Sequence, residues 1–391
     1  MASEPEAATD EASSPINFMP DTLQRVGVTA AVLTISLLLT YVPAPGLSPG
    51  AIERLATATG DSASIAVSRL SIVALGLSPI LSALIAGEVL KLAAPSLYGL
   101  EDDPRRGHKF NRAVLILGLI FAAFQAYGIT TALEAIQLPD GMAMIDEPGT
   151  LFRVSYMVTL VAGVALTYWL AEIITRHGIG SGFWVMLLAG ELWAVPAALT
   201  NLAASHDTGQ IATRQLLALT IAIAAAIISI VTLYRLRFTP AETSAPVDQL
   251  APRDIMIPPL LGTVIASTLM LVVPLGQFLT GDESAMTYSF DPADPIRLIL
   301  SATMILLIAY LRAATRPLSG AASTQAIRWA LIAGAVTAAI IVALEILSAG
   351  TGIYLIPGIW IIVLAIVCLV FLSSQLSPNG PDHTRADAAP D

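Results

Sequence analysis

EDDPRRGHKFNRAVLILGLIFAAFQAYGI, residues 101–129, decides what kind of chain this is. Its first part gathers Arg105, Arg106, Lys109 and Arg112, and from there the chain runs apolar to about residue 133. A charge-free run of that length, as a helix, crosses the hydrocarbon core of a bilayer, and the basic cluster before it anchors one end at the cytoplasmic face. Runs of this kind recur along the chain, at about 22–43, 70–93, 112–133, 152–174, 181–200, 211–234, 256–279, 296–313, 326–348 and 353–374, separated by Pro, Gly or charge. The 391 residues are 55% hydrophobic and 12% charged, with mean hydropathy +0.76, where soluble domains carry roughly a quarter charged residues. Such a chain cannot clothe itself in polar surface, so lipid is its solvent.

Hydrocarbon offers the backbone neither donors nor acceptors, and the runs have helical rather than strand lengths. The expected fold is therefore an all-α polytopic membrane protein of about ten transmembrane helices. With the N-terminus inside, fourteen of the 19 basic residues fall on the cytoplasmic side, and Arg54, Arg69, Arg153, Arg214 and Arg297 on the other. That asymmetry places both termini in the cytoplasm. Ten spans can divide into two sets of five, and an odd number per set would invert the second against the first and create a cavity at the midplane between them; the count permits this arrangement without requiring it. The expected division is a tail at 1–20, a first half at 21–200, a second half at 201–375 and a tail at 376–391. Both tails read as disordered, and 1–20 lacks the basic start and apolar stretch of a cleavable signal. The net charge of −10 reflects acids concentrated in tails and loops. Cys368, the single cysteine, excludes an intramolecular disulfide and reads as an apolar filler in the last run.

After YVPAPG (41–46) the chain departs from the pattern. LSPGAIERLATATGDSASIAVSRL is too polar to span and too long for a simple turn. By itself it reads as an external loop with an amphipathic helical turn. Three further stretches resemble the SecY family, the central subunit of the general protein-export channel. SRLSIVALGLSPILSALIAGEVLKLAAPSL (68–97) is similar to the family's second span. Residues 101–129 resemble its basic loop and third span, with the Gly-x-x-x-Asn-Arg rhythm and the Gln-Ala-x-Gly-Ile ending. WLAEIITRHGIGSGFWVMLLAGELWAVP (169–196) resembles the fourth-to-fifth connection, with Glu-x-Ile-Thr followed by Gly-Ile-Gly-x-Gly.

The resemblance implies two inverted five-helix halves around a central pore, and makes 47–66 a plug, a re-entrant segment that fills the outer funnel and carries Glu53, Arg54 and Asp61. It implies a pore ring of apolar side chains that seals by dewetting, with Leu81, Ile85, Phe183, Leu187, Val264 and Ile361 at the matching positions. It also implies a lateral gate between the second and seventh spans, with Ser78, Ser82, Glu88, Thr263, Ser267 and Thr268 as its polar members. By residue type alone these are ordinary packing or lipid-facing side chains. Glu88 stands where the family commonly shows Gln, and an acid at that depth has to face a polar interior or be protonated. Arg105, Arg106 and Arg316 are the implied cytoplasmic contacts. The implied partners are a small SecE-like membrane subunit, a motor ATPase or ribosome, unfolded polypeptide substrates and the lipid bilayer of a bacterial inner membrane. No cofactor, metal or nucleic acid is implied.

The chain departs from the family in its short loops at about 235–255 and 314–325, the family's docking elements, which marks it as divergent. The rival class is a secondary transporter with a midplane solute site, for which Glu88, Glu172, Glu191 and Glu345 are the candidate ligands. A hydrolase fits less well: Gly178-Ile179-Gly180-Ser181-Gly182 does not match Gly-x-Ser-x-Gly, and the four histidines are scattered. Nor is there a phosphate-binding Gly-x-x-x-x-Gly-Lys loop, so energy for transport has to come from a partner or the membrane potential.

Overall fold

The computed structural model describes residues 18–59, 70–94, 97, 104–135, 143–193, 195–209, 211–238, 252–279, 294–315, 321–351 and 357–376. Within them the chain forms twelve helices: α1 Phe18–Leu39, α2 Pro49–Thr59, α3 Ser78–Ala93, α4 Pro104–Ala135, α5 Thr150–His177, α6 Gly182–Leu192, α7 Val195–Asp207, α8 Thr213–Phe238, α9 Pro252–Leu279, α10 Pro295–Ala314, α11 Ala321–Thr351 and α12 Gly358–Leu376. Five stretches are long and apolar enough to cross a membrane: Gly107–Ala135, Thr150–His177, Thr213–Tyr234, Pro295–Ala314 and Ser323–Ala349. The helices sort into two packed sets. In the first, α4 lies between α3 and α5, and α5 also packs on α1 and α6. In the second, α10 lies between α9 and α11, while α8 and α12 close the set against α11.

Close backbone approach holds these sets together, because apolar side chains have little to gain from leaving lipid for one another. At Gly262 of α9 an added Cβ would fall 2.7 Å from the Ile305 amide nitrogen of α10, so only glycine lets the two helices meet there. The Gly-Ile-Gly-x-Gly connection has the same logic. A Cβ on Gly182 would lie 1.8 Å from the Ala171 carbonyl oxygen, and one on Gly178 would lie 2.6 Å from Thr29 Oγ1. Thr29 Oγ1 on α1 accepts from the Ile179 amide at 3.0 Å, and Thr175 Oγ1 accepts from the Gly182 amide at 2.9 Å. The motif is thus a tight, hydroxyl-capped turn fastened to the first span.

Two expected spans are corrected. The second, expected over 70–93, becomes helical only at Ser78; Leu70 to Leu77 form turns. Gly76 there has φ +51°, and Pro79, which has no N–H to bond a preceding turn, sits in the first turn of α3, where none is needed. The irregular backbone is tolerable at this depth because protein covers it: Leu70, Ser71, Val73 and Leu77 are buried, Ile72 donates to the Val42 carbonyl at 3.0 Å, and Leu70 accepts from Ala44 at 2.9 Å. The fifth, expected over 181–200, is split between α6 and α7. Pro196 has no N–H to continue the ladder, and it sits instead in the first turn of α7, where none is needed. At the N-terminus the expected 1–20 tail is shortened, because α1 already begins at Phe18; the rest of that tail and residues 377–391 lie outside the described residues.

Candidate functional site

The expected plug segment is a helix, α2, over its first part, docked at the end of the first set formed by the far ends of α4 and α5. Leu47 bridges to Ile145, and the Ser48 amide donates to the Met144 carbonyl at 3.0 Å. Ala51 is fully buried, in a cluster with Leu47, Ala126, Leu133, Met144, Ile145, Phe152 and Tyr156. Gly46 sets the approach to this seat with φ +85°; a Cβ there would lie 2.7 Å from the Phe152 ring. The seat is braced by Glu134, whose carboxylate accepts from Arg153 Nε at 2.8 Å and from the Gly149 amide at 3.2 Å. Glu53 and Arg54 are exposed; Asp61 lies outside the described residues.

The six ring positions fall in different surroundings. Ile85 on α3 packs against Ile257 and Leu261 of α9 and Ile308 of α10, together with Leu92, Ile265 and Met304. Phe183 and Leu187 on α6 pack on the first set's cluster around Ile80, Val164, Ile174 and Met186. Ile361, 5% exposed, belongs to the second set's core, and Leu188 of α6 joins that same core from across the molecule. Leu81 is half-buried on α3 and Val264 is 37% exposed on α9. Among the described residues the two sets therefore meet along two seams, α6 on α12, and α3 on α9 and α10.

The hydroxyls expected at the gate bond within their own chain segments. Ser78 Oγ donates to the Leu75 carbonyl, Ser82 Oγ to that of Ser78, Thr263 Oγ1 to that of Pro259 and Thr268 Oγ1 to that of Val264, all at 2.8–3.0 Å. Ser267 is half-buried on α9. Glu88 is the gate candidate that reaches across. One of its oxygens accepts from Lys91 Nζ at 2.9 Å, the other from Nη1 of Arg312 on α10, and all three side chains are buried. Lys91 also lies 4.8 Å over the Phe110 ring of α4. Sequence reasoning singled out Glu88 but missed Arg312, whose position next to a run of apolar residues reads as one more anchor. Of the other acids offered as solute ligands, Glu172 pairs with Arg176 at 2.9 Å and Glu345 with Arg297 at 3.1 Å, while Glu191 is half-buried on α6. Three of the four are thus already neutralised by arginine or lysine. Arg105 and Arg106 lie in the first turn of α4, and Arg316 lies outside the described residues.

The family model for SecY matches residues 71–319, well over half of the chain. The chain belongs to the SecY family. Among curated relatives it is 30% identical over 191 residues to the protein translocase subunit SecY of Rickettsia felis, a match covering 46% of this chain and 44% of the relative. It is 31% identical over 198 residues to that of Aquifex aeolicus, covering 48% and 46%. The match thus spans less than half the length of these relatives. The fold extends further than the sequence likeness. A solved SecY channel whose plug domain is reported to stabilise the closed state aligns over 96% of this chain and 95% of its own, at TM-score 0.55 and 14% identity. Sec61 in the canine ribosome-channel complex aligns over the same shares at TM-score 0.56 and 14% identity. The all-α arrangement is accordingly that of the SecY and Sec61 channels, and α2 is the helix that this SecY-family member carries between its first and second spans.

Proposed function

We propose that this chain is a protein-conducting channel, passing unfolded polypeptides across the bacterial inner membrane and releasing apolar segments sideways into lipid, with no chemistry of its own. The observation that carries the reading is the way the two helix sets meet, along two separate seams with a short docked helix at one end. A bundle built to stay closed would interdigitate continuously; a bundle that parts needs one seam that holds and one that yields. The α6–α12 seam joins the larger core and suits the hinge. The α3 seam is a small apolar patch beside one charged cluster, and suits the lateral gate. The helix α2 occupies the plug position. Leu81, Ile85, Phe183, Leu187, Val264 and Ile361 form the waist in this reading, and the two halves comprise residues 21–200 and 201–375. The pairing of Glu88, Glu172 and Glu345 with cations supports a channel over a solute transporter, since a cationic solute would have to compete with the arginine or lysine already there.

The reading assigns a small SecE-like subunit to the outside of the halves, and a motor ATPase or ribosome to the end carrying Arg105, Arg106 and Arg316. The short loops between the sixth and seventh and between the eighth and ninth spans leave such a partner less to grip than the family's longer ones. The test is site-directed crosslinking of a stalled, unfolded export substrate to Ile85→Cys or Phe183→Cys, each in a Cys368→Ala background. Adducts at both positions are expected. Absence of adducts, with protection of the same cysteines by small solutes, overturns the channel reading.

A further inference from the structure

The buried cluster of Glu88, Lys91 and Arg312 does more than neutralise an awkward acid. We propose that the Glu88–Arg312 ion pair is a reversible latch that holds the second and eighth spans together, with Lys91 as the counter-charge that lets it release. The inference rests on the proposed channel reading for its purpose, and on the geometry alone for its mechanism.

The two partners sit 224 residues apart, one in each helix set, at the end where α3 and α10 both finish. Around them the seam is apolar, Ile85 and Leu92 against Ile257, Leu261 and Ile308. Nonpolar contacts between helices are weak fasteners in lipid, since tails replace side chains at little cost. A hydrogen-bonded charge pair in the same place is different. Parting α3 from α10 breaks a charge-assisted hydrogen bond that lipid tails cannot replace, and that loss resists separation. The pair therefore opposes parting of α3 from α10 more strongly than the apolar patch beside it.

A latch must also open, and the arrangement gives each partner somewhere to go. Lys91 is on the same helix as Glu88, one turn on, and bonds the other carboxylate oxygen at 2.9 Å. When α3 moves, Lys91 moves with it, so Glu88 stays neutralised. Lys91 is itself held over the Phe110 ring, which Gly87 admits: a Cβ at Gly87 would lie 3.3 Å from Phe110 Cζ. Arg312 is in the last turn of α10, where the helix dipole favours a cation and a long side chain can reach the interface. His108 and Lys109, the titratable and basic groups nearby on α4, are exposed. Separation thus strands no bare charge in the apolar seam.

This division of labour predicts opposite effects for the two cations. Arg312→Gln removes the cross-seam bond and favours opening; Lys91→Gln leaves Glu88 dependent on Arg312 and favours closure. The measurement is the distance distribution between spin labels at the exposed positions Val89 and Tyr310, in a Cys368→Ala background, in phosphatidylethanolamine–phosphatidylglycerol liposomes without substrate. Arg312→Gln is expected to raise the long-distance population about tenfold, the scale of one hydrogen bond to a charged group, and Lys91→Gln to lower it. The triple variant Glu88→Gln/Lys91→Gln/Arg312→Gln removes all three charges and so buries no unpaired charge, and it is expected to open like Arg312→Gln. An unchanged distribution in both arginine variants, or a shift of the same sign for Lys91→Gln and Arg312→Gln, overturns the latch. The labels report the seam, not the cargo: a failed latch leaves substrate crosslinking at Ile85→Cys intact, and failed crosslinking leaves these distances as they are.

Discussion

Substituting Gly163 by alanine should destabilise the protein more than its small volume suggests. Gly163 lies in the middle of α5, against the irregular segment that leads into α3. A Cβ built there falls 1.9 Å from the Ile72 carbonyl oxygen, 2.9 Å from its carbonyl carbon and 3.4 Å from Val73 Cα. All three are backbone atoms, so no rotamer change relieves the clash, and the Leu70–Leu77 segment has to retreat by more than an ångström. That segment is not free to do so. It is hydrogen-bonded to residues 42 and 44, which lead directly to the seat of α2. Overpacking costs about 1–3 kcal/mol, and each strained backbone hydrogen bond adds about 1 kcal/mol. The expected loss is about 3 kcal/mol, more than a hundredfold in the folding equilibrium at 1.4 kcal/mol per factor of ten. Gly128→Ala is the control: it is helical, and nothing lies within 4 Å of its Cβ, so alanine there should be neutral or stabilising by about 0.5–1 kcal/mol. Equilibrium unfolding in mixed micelles, followed through the five tryptophans, compares the two. If Gly163→Ala and Gly128→Ala unfold at the same denaturant concentration, the close approach of α5 to the Ile72 backbone is wrong.

Ala51→Leu should loosen the plug without deleting it, because Ala51 is fully buried on its seat and three added carbons have no space to enter. Proteoliposomes carrying this variant are expected to leak small anions several-fold faster than wild type, on the scale of the roughly 1–3 kcal/mol that overpacking costs; a tight membrane would count against α2 as the seal. Thr29→Val removes the acceptor for the Ile179 amide, and a buried donor left unsatisfied costs about 1–3 kcal/mol. Faster amide exchange at 178–182 in Thr29→Val, restored in Thr29→Ser, is the expected result, and equal exchange in all three would refute the fastening of that turn to α1.

Hydropathy along the sequence locates the helices well where apolarity is continuous, as in α4, α5, α8 and α11. It errs at the start of the second span and the middle of the fifth. Both errors have one cause: hydropathy measures transfer of side chains and is blind to whether a backbone group finds its hydrogen bond inside a helix or from a neighbouring segment. Leu70 to Leu77 is as apolar as a helix, and it unwinds because Val42 and Ala44 supply partners. The gate residues show a second limit. Ser78, Ser82, Thr263 and Thr268 drew attention as polar groups in apolar runs, yet their hydroxyls are satisfied by carbonyls three or four residues back.

What the sequence determined alone is everything that depends on local composition: that lipid is the solvent, that the spans are helices, and that three motif blocks in order mark the SecY family. Those properties follow from transfer free energies and backbone satisfaction, which act residue by residue along the chain. Which groups meet across the molecule was decided by the tertiary structure. Glu88 announces from the sequence that it needs a partner, but the partner is an arginine 224 residues away that looks like any other anchor. Only the packing of α3 against α10 brings the two charges within hydrogen-bonding reach, because that distance is set by every helix between them.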